Sequence, residues 1–349
     1  MSRPYEREQA VAIEAVREAA WLCRAVAGEI SPEVLAKNDK SPVTVADFGS
    51  QALICRALAE AFPSDPVIAE EDAADLKRRE NAAVLEKVIR HVRAGRSRTG
   101  AEAASAIGAP LVCQWIDHGG ATGYSTRFWT LDPIDGTKGF LRREQYAVAL
   151  ALIVDGRIAV AALACPNLSA QTSTEHSAIE LPVGAIFHAV SGQGAYVVPA
   201  GTNGHDQPAP RRLSVSGRDQ AAGARFCESV ESGHSSQGDS AAVAARLKIT
   251  AAPLRMDSQA KYAVVARGEA DIYLRLPTRA DYREKIWDHA AGVLLVEEAG
   301  GVVTDMTGQP LEFHHGRELS ANRGVIVSNG RLHQPLIEAI QTLGIASEP

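Results

Sequence analysis

The chain has 349 residues, 46% of them hydrophobic, which is long enough for two lobes and a sizeable core. A formal net charge of −6 excludes broad nucleic-acid binding, but a small polyanion remains open if metals and a few cations supply a local field. No apolar run nears the roughly 20 residues of a membrane span, the start MSRPYEREQAV lacks an apolar signal region, and five scattered cysteines form neither a zinc pattern nor a disulfide framework. A soluble enzyme of the reducing cytoplasm is expected.

In chain order, residues 5–28 place Val11, Ile13, Val16, Ala20, Cys23 and Ala27 at near-helical spacing and predict a first helix. A second is predicted over 47–60, headed by Asp47, which suits either a site or a helix N-cap. Residues 66–69 read as a short buried strand that runs into Glu70, Glu71 and Asp72. Such an acidic cluster is as ordinary in a solvated loop as at a metal. Residues 73–108, rich in Ala, Arg and Glu, read as helices and mobile loop outside the core. Segments 146–154 and 157–164 flank Asp155-Gly156, a hairpin-turn signal, and 183–190 and 194–198 read as further strands. The Pro/Gly-rich link 199–211 predicts a boundary between an N-terminal α+β lobe, residues 1–198, and a C-terminal α/β lobe, residues 199–349. Beyond it, strands at 213–216, 225–228 and 272–274 alternate with helices at 240–247 and 258–267. A helix at 287–298, strands near Val302 and Val325, and a helix at 332–343 follow. Asp288 heads the late helix, where an acid also serves the helix dipole.

The most informative stretch is Phe128–Leu131 followed by Asp132-Pro133-Ile134-Asp135-Gly136-Thr137-Lys138. Pro133 fixes its own φ and biases Asp132 toward extended backbone, so both carboxylates can enter one pocket from a rigid bend. Gly136 permits a tight turn whose following N–H groups can face an anion. Two hard carboxylates beside an anion cradle suit divalent metal ions that also grip a phosphate. A plain Asp-Pro turn requires neither the second Asp nor the Lys.

Three segments in order, Val67–Glu71, Asp132–Thr137 and Trp287-Asp288, resemble the signature of the inositol monophosphatase-like superfamily of magnesium-dependent, lithium-sensitive phosphomonoesterases. The likeness runs over nearly the whole chain. Asp135-Gly136-Thr137-Lys138-Gly139-Phe140 departs from the inositol-monophosphatase form and is similar to the bisphosphate-nucleotidase branch. Segments 230–235, 257–262, 271–277 and 284–292 are similar to that branch as well. One departure is Arg143, where the family commonly has Gly.

The resemblance implies a layered αβαβα sandwich with its site between the lobes. It implies Mg2+ held by the side chains of Glu70, Asp132, Asp135 and Asp288 and the carbonyl of Ile134. Asp47 and Thr137 would orient and deprotonate a metal-bound water, and backbone groups of Gly136 and Thr137 would hold the transferred phosphate. His234, Ser258, Lys261 and Arg275 would surround the adenosine and the retained 5'-phosphate. Glu71 would be an outer ligand, Asp72 would take no direct part, and Tyr282 would pack against ligand or lid. The implied reaction converts adenosine 3',5'-bisphosphate to AMP in sulfur metabolism. The partner is a small nucleotide, with no nucleic-acid polymer and no membrane, and a monomer is expected. Two rival readings stand beside it: an inositol (poly)phosphate 1-phosphatase, and a catalytically silent nucleotide-binding sensor. A sensor need not keep the water-activating pair, so the complete set from Asp47 to Asp288 argues against it.

Overall fold

The computed structural model describes residues 3–29, 34–36, 42–98, 104–171, 184–201, 208–231, 233, 235–279 and 281–346. Helix α1 (Glu6–Ala27) lays the stripe Ala12, Ala15, Val16, Ala19, Cys23 and Val26 on the core, as the 3.6-residue period requires. Strands β1 (Val34–Ala36) and β2 (Pro42–Thr44) form a small antiparallel ribbon that leads into α2 (Val45–Ala61). Next come β3 (Val67–Ala69), α3 (Ala82–Arg98), α4 (Ala109–Asp117), β4 (Arg127–Asp135) and the short α5 (Thr137–Leu141). Then β5 (Ala147–Val154), β6 (Arg157–Cys165), β7 (Ala185–Val190), β8 (Ala195–Pro199) and β9 (Arg211–Arg212) extend one sheet in the order β3-β4-β5-β6-β7-β8-β9. Only the β3–β4 pair of that sheet is parallel. Because β9 pairs with β8, the sheet continues past residue 199.

The remaining elements are β10 (Phe226–Glu228), α6 (Gln237–Arg246), β11 (Leu254–Arg255), α7 (Ala260–Ala266) and β12 (Ile272–Arg275). They are followed by α8 (Ala290–Glu298), β13 (Val302–Thr304), β14 (Val325–Ser328) and α9 (His333–Thr342). A second sheet runs β11-β10-β12-β14-β13. Helices α1 and α2 cover one face of the large sheet, and α8 with α7 fills the space between the two sheets. The outer face of the small sheet packs on α6 and α9. The layers are therefore αβαβα. Strand β5 shows why both faces of the large sheet are apolar: Val148, Leu150 and Leu152 enter the core under α1 and α2, while Ala149, Ala151 and Ile153 enter the one under α8.

Some expectations change. Segment 73–108 is not excluded from the core, since α3 buries Val88, Ile89 and Val92, an i, i+1, i+4 stripe masked by the surrounding charge. Helix α4, with Pro110 in its first turn, was not anticipated. Segment 213–216 is not a strand: Leu213 N–H donates to Ala195 O at 2.8 Å and Val215 N–H to Ala299 O at 3.0 Å, so its bonds are divided between two elements. All five cysteines are free and buried, and burial pushes the Cys227 thiol up to about 12, which suits packing rather than nucleophilic chemistry. Among the described residues, no helix is long and apolar enough to cross a membrane.

Candidate active site

The site starts from strand register. Parallel pairing of Ala69 with Leu131, and the Glu70 N–H bond to Leu131 O at 3.2 Å, bring Glu70 and Asp132 out side by side at the same sheet end. In a regular strand Asp132 and Asp135, three apart, would point to opposite faces. Here β4 opposes Asp132 to Ala149 and Asp135 to Ala147, so three steps face two, and this bulge turns both acids toward one cleft. Ser50 Oγ donates to Pro133 O at 2.9 Å and ties the bulge to α2. Gly136 then takes φ 84° and passes so close to the second lobe that a Cβ on it would stand 3.0 Å from Ser258 Cβ. Only glycine meets both demands.

A cleft of about 520 Å³ is lined by Glu70, Asp132, Ile134, Asp135, Gly136 and Thr137 from the first lobe, and by Ser258, Lys261, Arg275, Tyr282 and Asp288 from the second. This brings together most of the residues singled out above. Gln259 joins the two groups: its N–H donates to Asp135 Oδ2 at 2.6 Å, its Nε2 to Trp287 O at 2.9 Å, and its Oε1 accepts from Gly292 N–H at 3.1 Å. Asp288 is thereby held opposite Asp135 although 153 residues separate them. Ser258 sits at φ 69°, a conformation disfavoured for a side-chain-bearing residue and often found at functional sites. Lys261 is buried, with Nζ 3.4 Å from Met256 O and 5.1 Å from the Tyr273 ring centroid, so it is no solvated helix residue. His234 lies outside the described residues. Glu71 is buried but does not line the cleft, since Gln51 grips its backbone at both ends, by 3.0 and 2.6 Å bonds. Asp72 Oδ1 caps its own turn by accepting from Ala74 N–H.

Asp47 is not the cap of α2. Thr44 is, and Asp47 is its capping-box partner, accepting from Thr44 N–H at 2.8 Å and Oγ1–H at 2.6 Å through Oδ2. The other oxygen, Oδ1, meets Thr137 Oγ1 at 3.4 Å. The helix start therefore aims a fully buried carboxylate at a hydroxyl that lines the cleft.

Burial, with the neighbouring carboxylates of Asp135 and Glu70, pushes the Asp288 carboxyl well above the usual range, against the opposing pull of Arg275. Burial also raises Asp135, against Lys261. The donors are all hard oxygens, crowded enough to oppose their joint ionisation, and a divalent cation relieves that conflict. The donor set fits Mg2+. Glu284, Asp288 and His289 also converge within 4.8 Å, but two of them, Glu284 and His289, belong to a hydrogen-bonded chain. His289 Nε2–H donates to Glu284 Oε2 at 3.0 Å, its Nδ1 meets the Tyr262 hydroxyl at 2.7 Å, and Glu284 Oε1 accepts from Arg275 Nε at 3.1 Å. Both imidazole nitrogens are engaged, and Glu284 is committed to orienting Arg275.

Sequence reasoning missed Arg317. Its Nη2 donates to Ala69 O at 2.9 Å, one residue before Glu70, and its guanidinium lies 4.5 Å from the Trp287 ring centroid, one residue before Asp288. It clamps the segments that carry Glu70 and Asp288 together, and no local pattern around it announces this. The departure at Arg143 also finds its meaning. Arg143 N–H donates to Phe140 O at 3.0 Å and Glu144 N–H to Gly139 O at 2.8 Å, a Schellman closure of α5 with Arg143 at φ 60°. Left-handed backbone costs a non-glycine residue roughly 1–2 kcal/mol. Arg143→Gly removes that cost at some expense in unfolded-state entropy, so thermal denaturation should show a net gain of up to about 1 kcal/mol. A loss of stability would mean that the Arg143 side chain contributes more than its backbone strain costs.

A carboxylate-lined cleft in an αβαβα sandwich defines the class, and sequence comparison agrees: the chain belongs to the inositol monophosphatase family, whose model matches residues 5–344. Within that family it is similar to 3'(2'),5'-bisphosphate nucleotidases. The Emericella nidulans enzyme is 45% identical and aligns over 97% of this chain and 98% of its own. The Schizosaccharomyces pombe enzyme is 43% identical over 96% and 95%. Among solved structures, the Thermotoga maritima IMPase superposes with a TM-score of 0.64 at 20% identity, covering 97% of this chain and 98% of that one. CysQ from Bacteroides thetaiotaomicron, a bacterial family member, gives 0.56 at 19%, covering 93% and 98%. At these identities the structural matches establish the fold alone.

Proposed function

We propose that this chain hydrolyses the 3'(2')-phosphate of adenosine 3',5'-bisphosphate in a Mg2+-dependent reaction, giving AMP and phosphate, as a cytoplasmic monomer. One observation carries the reading: a single cleft holds a carboxylate set from both lobes together with two cations of the second lobe, the buried Lys261 and the partly buried Arg275. Its volume lies in the ~300–1,000 Å³ range of small-molecule sites. A substrate with two phosphates matches such a combination, and the nucleotidase names of the full-length relatives support it. Magnesium bound by Glu70, Asp132, Asp135, Asp288 and the Ile134 carbonyl would supply charge neutralisation at the phosphoryl oxygens and a lowered pKa for water. Thr137 receives the proton of the attacking water as its own passes to Asp47. The N–H groups of Gly136 and Thr137 hold the transferred phosphate, and Lys261 and Arg275 hold the retained one. Residues 1–198 carry most of the carboxylates and residues 199–349 most of the recognition.

Phosphate release from adenosine 3',5'-bisphosphate, 3'-AMP, inositol 1-phosphate and inositol 1,4-bisphosphate in Mg2+ tests the assignment. The bisphosphate is expected to have the highest kcat/KM. An inositol phosphate in first place overturns the substrate while leaving the carboxylate site standing. In the same assay Ca2+ should inhibit, because its larger and looser coordination misplaces the water, and Li+ should inhibit in the millimolar range. Indifference to both ions would require a different ligand arrangement.

A further inference from the structure

Away from the cleft, the loop joining β13 to β14 carries Glu312, Phe313, His314 and His315 in succession. Phe313 is buried and roots the loop in the core, while Glu312, His314 and His315 stand outside. Glu312 N–H donates to Asn322 Oδ1 at 2.8 Å, and Asn322 Nδ2 in turn donates to Pro310 O at 2.9 Å, so the backbone under Glu312 is braced. The His314 ring packs edge-on against Tyr124, with centroids 6.3 Å apart, and its Cβ would stand 3.3 Å from a Cβ built on Gly156. Both imidazoles present Nε2 to one carboxylate oxygen: His315 at 2.7 Å and His314 at 3.4 Å from Glu312 Oε2. One ligand atom from each residue lies within 4.8 Å of the other two.

We propose that Glu312, His314 and His315 form a surface site for a divalent transition-metal ion of the zinc, nickel and copper class, separate from the magnesium-type cleft. Two imidazole nitrogens and one carboxylate oxygen match the ligand preference of these ions, whereas Mg2+ selects an all-oxygen shell. With bonds of about 2.0–2.1 Å, ligand atoms on a tetrahedral ion stand roughly 3.3–3.4 Å apart. The His314–Glu312 separation already has that value, and the His315–Glu312 pair must open by about 0.6 Å, an adjustment available to exposed side chains. Three protein ligands leave the fourth position to water.

This site is independent of the phosphatase reading, and its test uses metal binding rather than turnover. Zn2+ titration by calorimetry in a Mg2+ excess should show one equivalent in the wild-type protein that Mg2+ does not displace. H314A, H315A and E312Q should each weaken that equivalent at least tenfold and leave Mg2+-dependent phosphate release unchanged, since none of the three lines the cleft. With Cu2+ in place of Zn2+, electron paramagnetic resonance should show two nitrogen ligands in the wild type and one in H315A. The proposal is overturned if the wild type binds no Mg2+-resistant Zn2+, or if that equivalent survives all three substitutions with unchanged affinity.

Discussion

Asp135→Asn is expected to lower kcat by about 10²–10³-fold at saturating Mg2+, the scale of removing one preorganised charge at a reacting centre. Its fold should survive. The amide matches the carboxylate in size, and its oxygen can still accept the 2.6 Å bond from Gln259 N–H. Burial raises the Asp135 carboxyl in the folded state, so its ionised form destabilises the metal-free fold. That penalty begins above the unfolded carboxyl value of about 3.9 and grows as pH rises toward the raised folded value. A neutral Asn removes it, so the metal-free Tm at neutral pH should hold or rise, and added Mg2+ should raise Tm less than in the wild type. Steady-state kinetics over a Mg2+ series, with thermal melts with and without Mg2+, supply both readouts. Near-wild-type turnover at saturating Mg2+ would remove Asp135 from the ligand set. Asp288→Asn should behave alike, because it loses the second-lobe carboxylate that faces Asp135 across the same cleft.

Arg275→Ala should cost about 2–4 kcal/mol in kcat/KM for the bisphosphate, in line with losing a charge-assisted contact to a phosphate. Hydrolysis of 3'-AMP, which has no 5'-phosphate, should scarcely change. The geometry refines this experiment. Arg275 Nε is already given to Glu284 Oε1 and the guanidinium also bonds the Tyr282 side chain, so Glu284 and Tyr282 fix the orientation in which it meets a ligand. The substitution also strips one of two partners from a buried carboxylate whose value Arg275 and His289 hold down at about 2 despite burial. Removing one member of such a pair costs roughly 3–5 kcal/mol of stability. A loss of Tm is therefore expected alongside the loss of selectivity. Adding Glu284→Gln should restore much of the former and none of the latter. The ratio of the two substrates on one folded variant cancels the stability term. Equal losses on both substrates would make Arg275 a support of the fold or the chemistry, not of recognition.

What could be read from the chain alone was what local chemistry decides. An apolar stripe at helical spacing marked α1, and Asp155-Gly156 marked the β5–β6 turn. The Asp132-Pro133-Ile134-Asp135-Gly136 bend was legible because proline, glycine and paired acids act through the backbone of the same few residues. The family likeness then added the late Asp288 and the layered architecture. Packing decided the rest. The bulge that turns Asp132 and Asp135 to one side exists only against β5, and the bond from Gln259 that faces Asp135 toward Asp288 exists only once the second lobe is in place. Arg317 clamps Ala69 and Trp287 from a loop with no sequence signal, and Glu284 orients Arg275 from nine residues away. Segment 213–216 had strand composition, yet its hydrogen bonds go to β8 and to the end of α8. Residue types and turns are properties of neighbours along the chain. Side-chain direction across a cleft depends on which surfaces bury each other, and only the assembled sheets and helices determine that.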